Sequence, residues 1–380
     1  MTTGLNSFSP PRVIRPFLVP WLLLLLASFT SCDRVEKNIL AKTVPTLQAD
    51  ATLPASPTSF PNNLPAASQN PSSSRIVPQS QPFVEVKRLS DFPLYEAHLH
   101  GDYGFQQHIQ HSPAPASALP RNVQTFACST FAALGDPHQR ILGRNFDWYE
   151  HPALILFTHP PGGYASVSMV DLHYLGYNQQ VTPLSYTQPL QRAPYFPFDG
   201  MNEQGLAVGM MAVPHADGQH HPGAVTLDEL ELMRLILDYA QDVPSALRLI
   251  QAYNVSFGSV PIHYLLADAS GNSAVLEYLD GDINILLNGK PWQTATNFLI
   301  SQENPVGADS SCWRYNKMYA TLEKAGGVHD PISAMDLLQS VSQPGTTPTR
   351  WSIVYDLSHQ LVRLAVGRDY TTIFRFSLDQ

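Results

Sequence analysis

Three residues in one short stretch carry the chemistry this chain could do: Cys128, Arg144 and Asp147. Cys128 opens the apolar run Cys128-Ser129-Thr130-Phe131, and the other two lie in Gly143-Arg144-Asn145-Phe146-Asp147-Trp148. The thiolate is the nucleophilic form of cysteine, and a fixed positive charge beside it raises the thiolate fraction. A carboxylate can orient an amine or a second donor. The bland alternative is a cysteine that is only a small buried hydrophobe, with Arg144 and Asp147 as a surface pair.

Two strands are needed to bring the three together. Gly135-Asp136-Pro137-His138-Gln139 separates the two runs, and such turn-formers between aromatic and branched residues predict a hairpin. Upstream, Phe83–Leu89 and Leu94–His100 read as strands, whereas Gly101–Arg121 has no period and reads as irregular. His98 and His100 share one side of their strand with metal-like spacing, but no third ligand accompanies them. Downstream, Ala153–Thr158 and Tyr164–Val170 form strand, turn, strand, and a Gly200–Gly205 turn leads into Leu206–Met211. A capping box at Thr226-Leu227-Asp228-Glu229 starts a helix through Tyr239, and Asp242 with Pro244 starts another. Strands Ile262–Asp268, Ser273–Tyr278 and Gln293–Phe298 follow, then helices at Ser311–Lys324 and from Asp330. The tail returns to strands at Trp351–Tyr355, Leu361–Val366 and Thr371–Phe376. This order fits an α+β fold of two antiparallel sheets covered by helices on their outer faces.

Composition narrows the function classes. The chain has 380 residues, 14% of them charged, and a net charge of −9. No basic stripe exists to neutralise phosphates, which argues against nucleic acid as a partner. At the front, Arg12 and Arg15 precede a short apolar run, Phe17–Phe29, that ends in Thr30-Ser31-Cys32. The run is too short to span a bilayer comfortably. Residues 1–32 therefore read as a lipoprotein-type signal segment, with Cys32 as the acylated anchor of an extracytoplasmic protein; plain secretion is the alternative. Residues 33–82 are rich in proline and serine and read as a disordered tether. Residues 83–380 then form the folded domain. In an oxidising compartment a Cys128–Cys312 disulfide is a further alternative. His263, about 135 residues after Cys128, matches the cysteine-to-histidine spacing of papain-like peptidases, without their local cysteine context. A surface lipoprotein that only binds an apolar ligand is the non-catalytic reading.

Five motifs in order carry a resemblance: the Cys128 run, the Gly143–Trp148 run, Met201-Asn202-Glu203-Gln204-Gly205-Leu206-Ala207-Val208, Thr296-Asn297, and Ser310-Ser311-Cys312-Trp313-Arg314-Tyr315. From Phe83 onward the chain resembles the linear amide C–N hydrolases. These are the N-terminal-nucleophile (Ntn) relatives of choloylglycine hydrolase, penicillin V acylase and the acyltransferase/C45 peptidases. The resemblance implies a four-layer αββα sandwich, Cys128 as nucleophile, Arg144 and Asp147 beside it, and Asn202 and Asn297 near the oxyanion. Arg314 would be the second cation, and no cofactor or metal is implied. Because a long segment precedes Cys128, the C45 branch is the nearer match. That branch implies a self-made cut at Ala127–Cys128, a pro-segment 83–127 and a catalytic chain 128–380. The expected activity is hydrolysis of an N-acyl amide, or acyl transfer to another amine.

Overall fold

The computed structural model describes residues 83–111, 127–258 and 260–378. The expected signal segment, Cys32, the tether and residues 112–126 of the pro-segment lie outside the described residues. In the first half of the chain the strands are β1 (Phe83–Arg88), β2 (Leu94–His100), β3 (Ala127–Ala133), β4 (Ile141–Asp147), β5 (Ala153–His159), β6 (Ser166–Asp171), β7 (Asp199–Asn202) and β8 (Ala207–Ala212). The second half adds β9 (Thr226–Leu227), β10 (Asn254–Val255), β11 (Ile262–Ala267), β12 (Ser273–Leu279), β13 (Asp282–Leu287) and β14 (Trp292–Ala295). β15 (Thr349–Asp356), β16 (Leu361–Val366) and β17 (Asp369–Ser377) complete them. The α-helices are α1 (Phe105–His111), α2 (Glu229–Tyr239), α3 (Val243–Ile250), α4 (Ile300–Glu303), α5 (Trp313–Lys324) and α6 (Pro331–Ser340).

These elements build the four-layer αββα sandwich. One sheet runs β1-β2-β5-β6-β7-β8-β11-β12-β13 and the other β14-β3-β4-β15-β16-β17. α2 lies against β7 and β8, and α5 and α6 lie against β14, β3, β4 and β15. β3 and β8 face each other between the sheets. β9 and β10 form a separate parallel pair. The six-stranded sheet is antiparallel throughout. The nine-stranded sheet departs from the expectation at one join, where β2 pairs β5 in parallel. The physical reason is the connection. The chain leaves β2, crosses to the other sheet as the β3–β4 hairpin and only then returns as β5, and a crossover of that length permits parallel pairing.

β3 and β4 are buried along almost their whole length, which is why they read as continuous apolar runs rather than alternating ones. Helix starts follow side-chain capping. Asp228, not Thr226, caps α2: its carboxylate accepts from the Leu230 and Glu231 amides, and the Glu231 side chain returns the bond. Thr226-Leu227 instead form β9. Asp242 and Asp330 cap α3 and α6 in the same way. The segment expected to be irregular contains α1, whose Phe105 and Ile109, four residues apart, are both buried.

Two expectations about ligands and bonds meet the structure here. His98 bonds Glu96 and stacks on Phe157, and among the described residues no three ligating side chains gather as a metal site. Cys128 is a free, buried thiol, so the Cys128–Cys312 disulfide is not made.

Candidate active site

The hairpin places Cys128 opposite Phe146, Thr130 opposite Arg144 and Ala127 opposite Asp147. Cys128 is fully buried at the head of β3, and three of its atoms are held. Its amide N–H donates to Asn297 Oδ1 at 2.8 Å. Its carbonyl accepts from Arg314 Nη1 at 2.6 Å. Its Sγ accepts from Arg144 Nη2 at 3.2 Å.

Each of these partners is itself fixed. Arg144 bonds Asp199 Oδ2 through Nη1 at 2.5 Å and the Met210 carbonyl through Nη2 at 2.8 Å. Asp199 also accepts from Trp351 Nε1 at 3.0 Å and from the Tyr355 hydroxyl at 2.6 Å. Arg314 reaches Ser129 Oγ at 2.9 Å, Asp147 Oδ2 at 3.2 Å and Asn297 Oδ1 at 2.9 Å. Asp147 accepts further bonds from Gln343 at 2.7 Å and Thr349 at 2.5 Å. Asn297 donates from Nδ2 to the Ala212 carbonyl at 2.8 Å.

Of the six residues expected at the site, five are therefore brought together: Cys128, Arg144, Asp147, Asn297 and Arg314. Asn202 is not among them. Both protons of its amide are spent on the Leu237 and Ala240 carbonyls, and its Oδ1 accepts from the Gln204 and Leu206 amides. It organises the turn between β7 and β8 and ties it to the end of α2, so the oxyanion role expected of it has no geometry here. The holder of the Cys128 nitrogen also differs from expectation, being Asn297 rather than Asp147. His263, the candidate partner in a papain-like reading, bonds the Thr296 carbonyl at 2.6 Å and lies 3.7 Å from Glu277. Neither contact leads to Cys128. Asp199, Ser129, Gln343 and Thr349 were not anticipated.

Burial and the charge of Arg144 act on the thiol in opposite directions. Burial pushes the Cys128 thiol up to about 12, and Arg144 only partly offsets this. Asp147 and Asp199 push in the same direction as burial, whereas Arg314 helps Arg144. Each cation is thus matched by its own carboxylate, and desolvation decides the outcome. In the intact chain burial thus outweighs the pull of Arg144 toward the thiolate. Burial likewise raises the Asp147 carboxyl, against the pull of Arg314, Thr349, Gln343 and Arg144.

A buried cysteine heads a strand of an αββα sandwich, with amide and guanidinium groups converging on it, which is the arrangement the motif resemblance implied. Residues 128–297 match the family model for linear amide C-N hydrolases, choloylglycine hydrolase family, and the match begins at Cys128 itself. Among solved structures, penicillin V acylase from Agrobacterium tumefaciens is similar at a TM-score of 0.50 and 19% identity, over 67% of this chain and 87% of its own. Two variants of the conjugated bile acid hydrolase from Clostridium perfringens are similar at a TM-score of 0.51. Their identities are 14% and 13%, over 66% of this chain and 92% and 93% of theirs. No curated protein sequence matches the chain. Residues 128–297 thus resemble the linear amide C-N hydrolases in sequence, and the fold of the chain resembles that of the penicillin V acylase and bile acid hydrolase structures.

Proposed function

We propose that Cys128 is the nucleophile of an amidase that first frees its own N-terminus and then cleaves an N-acyl amide. The observation that carries this reading is the three-point hold on Cys128: nitrogen by Asn297, carbonyl by Arg314, sulfur by Arg144. In the first step Sγ adds to the Ala127 carbonyl carbon. The Ala127–Cys128 C–N bond breaks, the nitrogen takes the thiol proton, and a thioester forms. Water hydrolyses that thioester to the Ala127 carboxylate and a free thiol.

The freed nitrogen is an α-amine, with a pKa near 7.7–8.0 and so partly unprotonated at neutral pH. It stands beside Asn297 Oδ1 and takes the proton from its own thiol. The sulfur attacks the substrate carbonyl, the amine product leaves with that proton, and water or a second amine accepts the acyl group from sulfur. The cut also opens the cysteine to solvent and so relieves the desolvation that holds the thiol protonated in the intact chain. The resemblance assigns Asn297 to the oxyanion, where one donor contributes roughly 3–4 kcal/mol to the barrier. The long segment before Cys128 favours the self-cutting C45 branch.

N-terminal sequencing and intact mass of purified protein test the reading. A mature chain beginning Cys128-Ser129-Thr130 is expected, with a single uncut chain for Cys128→Ala. A full-length, active wild type would overturn the mechanism. We further infer an extracytoplasmic protein anchored by acyl groups on Cys32, from the sequence before the tether. Cys32→Ser is expected to release it from the membrane fraction, and equal retention would refute the anchor.

A further inference from the structure

Glu229 is the first residue of α2, and among the described residues no cation acts on its buried carboxyl. Oε2 accepts from the Gly258 amide at 3.2 Å, whereas Oε1 has no hydrogen-bond partner among the described residues. Glu229 lines a small cavity of about 10 Å³ with Tyr174, Phe198, Met210, Leu230, Val260 and Ile262. That volume takes one water-sized group. Buried polar atoms are nearly always partnered, so an unpartnered carboxyl oxygen in an apolar cavity calls for an explanation.

The cavity adjoins the reacting centre. Met210 gives its carbonyl to Arg144, and Phe198 precedes Asp199, the carboxylate that holds Arg144. The Phe198 ring meets Phe146, the residue opposite Cys128, at 5.3 Å, and the Tyr174 ring meets Trp148 at 6.0 Å. An aromatic wall thus runs from beside the thiol to Glu229. A small, mostly apolar recess suits the part of a substrate that stays on sulfur after the amine has left.

We propose that this cavity is the floor of the acyl pocket, and that Glu229 selects acyl chains ending in a small hydrogen-bond donor, a hydroxyl or a primary ammonium. The inference rests on the amidase reading of Cys128. Burial also pushes the Glu229 carboxyl up to about 8, with Asp228 and Glu231 acting in the same sense. The titratable groups of other elements that bear on it are Tyr174 and Tyr264, neither of them a cation at any pH. A donor tip supplies the partner that Oε1 lacks, and an ammonium supplies the missing counter-charge. A methyl tip does neither and leaves the carboxyl oxygen unpaired.

The test measures kcat/KM of the processed enzyme on para-nitroanilides of straight acyl chains of increasing length, ending in methyl, hydroxyl or ammonium. At the best length, a donor tip is expected to exceed the methyl tip of equal size by about tenfold or more. Glu229→Gln, which keeps the shape, is expected to keep the hydroxyl preference and lose the ammonium preference. Glu229→Met is expected to lose both. A wild-type ratio near one at every length overturns the inference and leaves the amidase reading intact. Absence of turnover with any tip, together with a Cys128 that does not label, refutes the amidase reading and this inference with it.

Discussion

Around Cys128, four buried ionisable side chains meet in opposed pairs, Arg144 with Asp199 and Arg314 with Asp147. Pairs this deep are costly to break, because removing one partner strands a charge at a cost of about 3–5 kcal/mol. They also fix the thiol's chemistry, since Arg144 lowers its pKa and Asp199 raises it. On the cut fraction, Arg144→Ala is expected to move the pH midpoint for iodoacetamide labelling of Cys128 upward and Asp199→Asn to move it downward. Each unit corresponds to about 1.4 kcal/mol. Arg144→Lys keeps the charge but loses the fork that spans sulfur, carboxylate and carbonyl, and falls between wild type and Arg144→Ala. Superimposable profiles would mean the guanidinium has no electrostatic hold on the sulfur. The five residues that meet here, the cysteine, both arginines, Asp147 and Asn297, are ones the motif resemblance had named. Asp199 was not, because 55 residues separate it from Arg144 and nothing in Phe198-Asp199-Gly200 marks a buried partner. Asn202 misled for the converse reason: a buried asparagine in a turn and an oxyanion donor look alike in sequence.

The β3–β4 hairpin reads directly off its turn residues, yet its position depends on the facing sheet, which local pattern does not report. Arg144 reaches Cys128 across Gly209 of β8, where an added Cβ would lie 2.9 Å from Arg144 Cδ. That atom cannot step aside cheaply, since the guanidinium beyond it is pinned by Asp199 and Met210. Gly209→Ala is therefore expected to displace the guanidinium from sulfur and lower kcat/KM by about 10²-fold, as misplacement on the ångström scale does. Its backbone is not in the left-handed region, so the chain itself tolerates alanine. Circular dichroism and a melting curve separate the two effects: near-native folding with lost activity is expected, and unchanged activity would refute the close approach as a positioning device. Other element-level differences have the same origin. Local capping moved the α2 start to Asp228, and the β2–β5 pairing was invisible because the partners lie on either side of the hairpin.

Across the whole molecule, the part of the chain before the proposed cut is woven into the fold rather than laid on it. β2 is an interior strand between β1 and β5, with Leu94, Ala97 and Leu99 buried. α1 follows, burying Phe105 and Ile109. Two polar clamps reach α2: the Tyr103 hydroxyl donates to Asp238 Oδ2 at 2.6 Å, and His108 bonds Glu231 at 2.5 Å. A fully buried leucine, isoleucine or phenylalanine contributes about 1.5–3 kcal/mol. Leu94, Leu99, Phe105 and Ile109 together thus offer on the order of 10 kcal/mol before the cost of association is subtracted. Departure of the segment would also bare β5 as an open edge, a template for aggregation. After the cut at Ala127–Cys128 the two chains are therefore expected to co-elute on native gel filtration at micromolar concentration and to part only in denaturant. The paired substitution Phe105→Ala with Ile109→Ala removes apolar burial without touching Cys128, Arg144 or Asn297. It is expected to weaken retention, so that the small chain bleeds off on dilution and the large chain aggregates as β5 is exposed. Separation of the wild-type chains on the native column would show that the strand pairing of β2 with β5 does not survive the cut, and that the pro-segment serves folding alone.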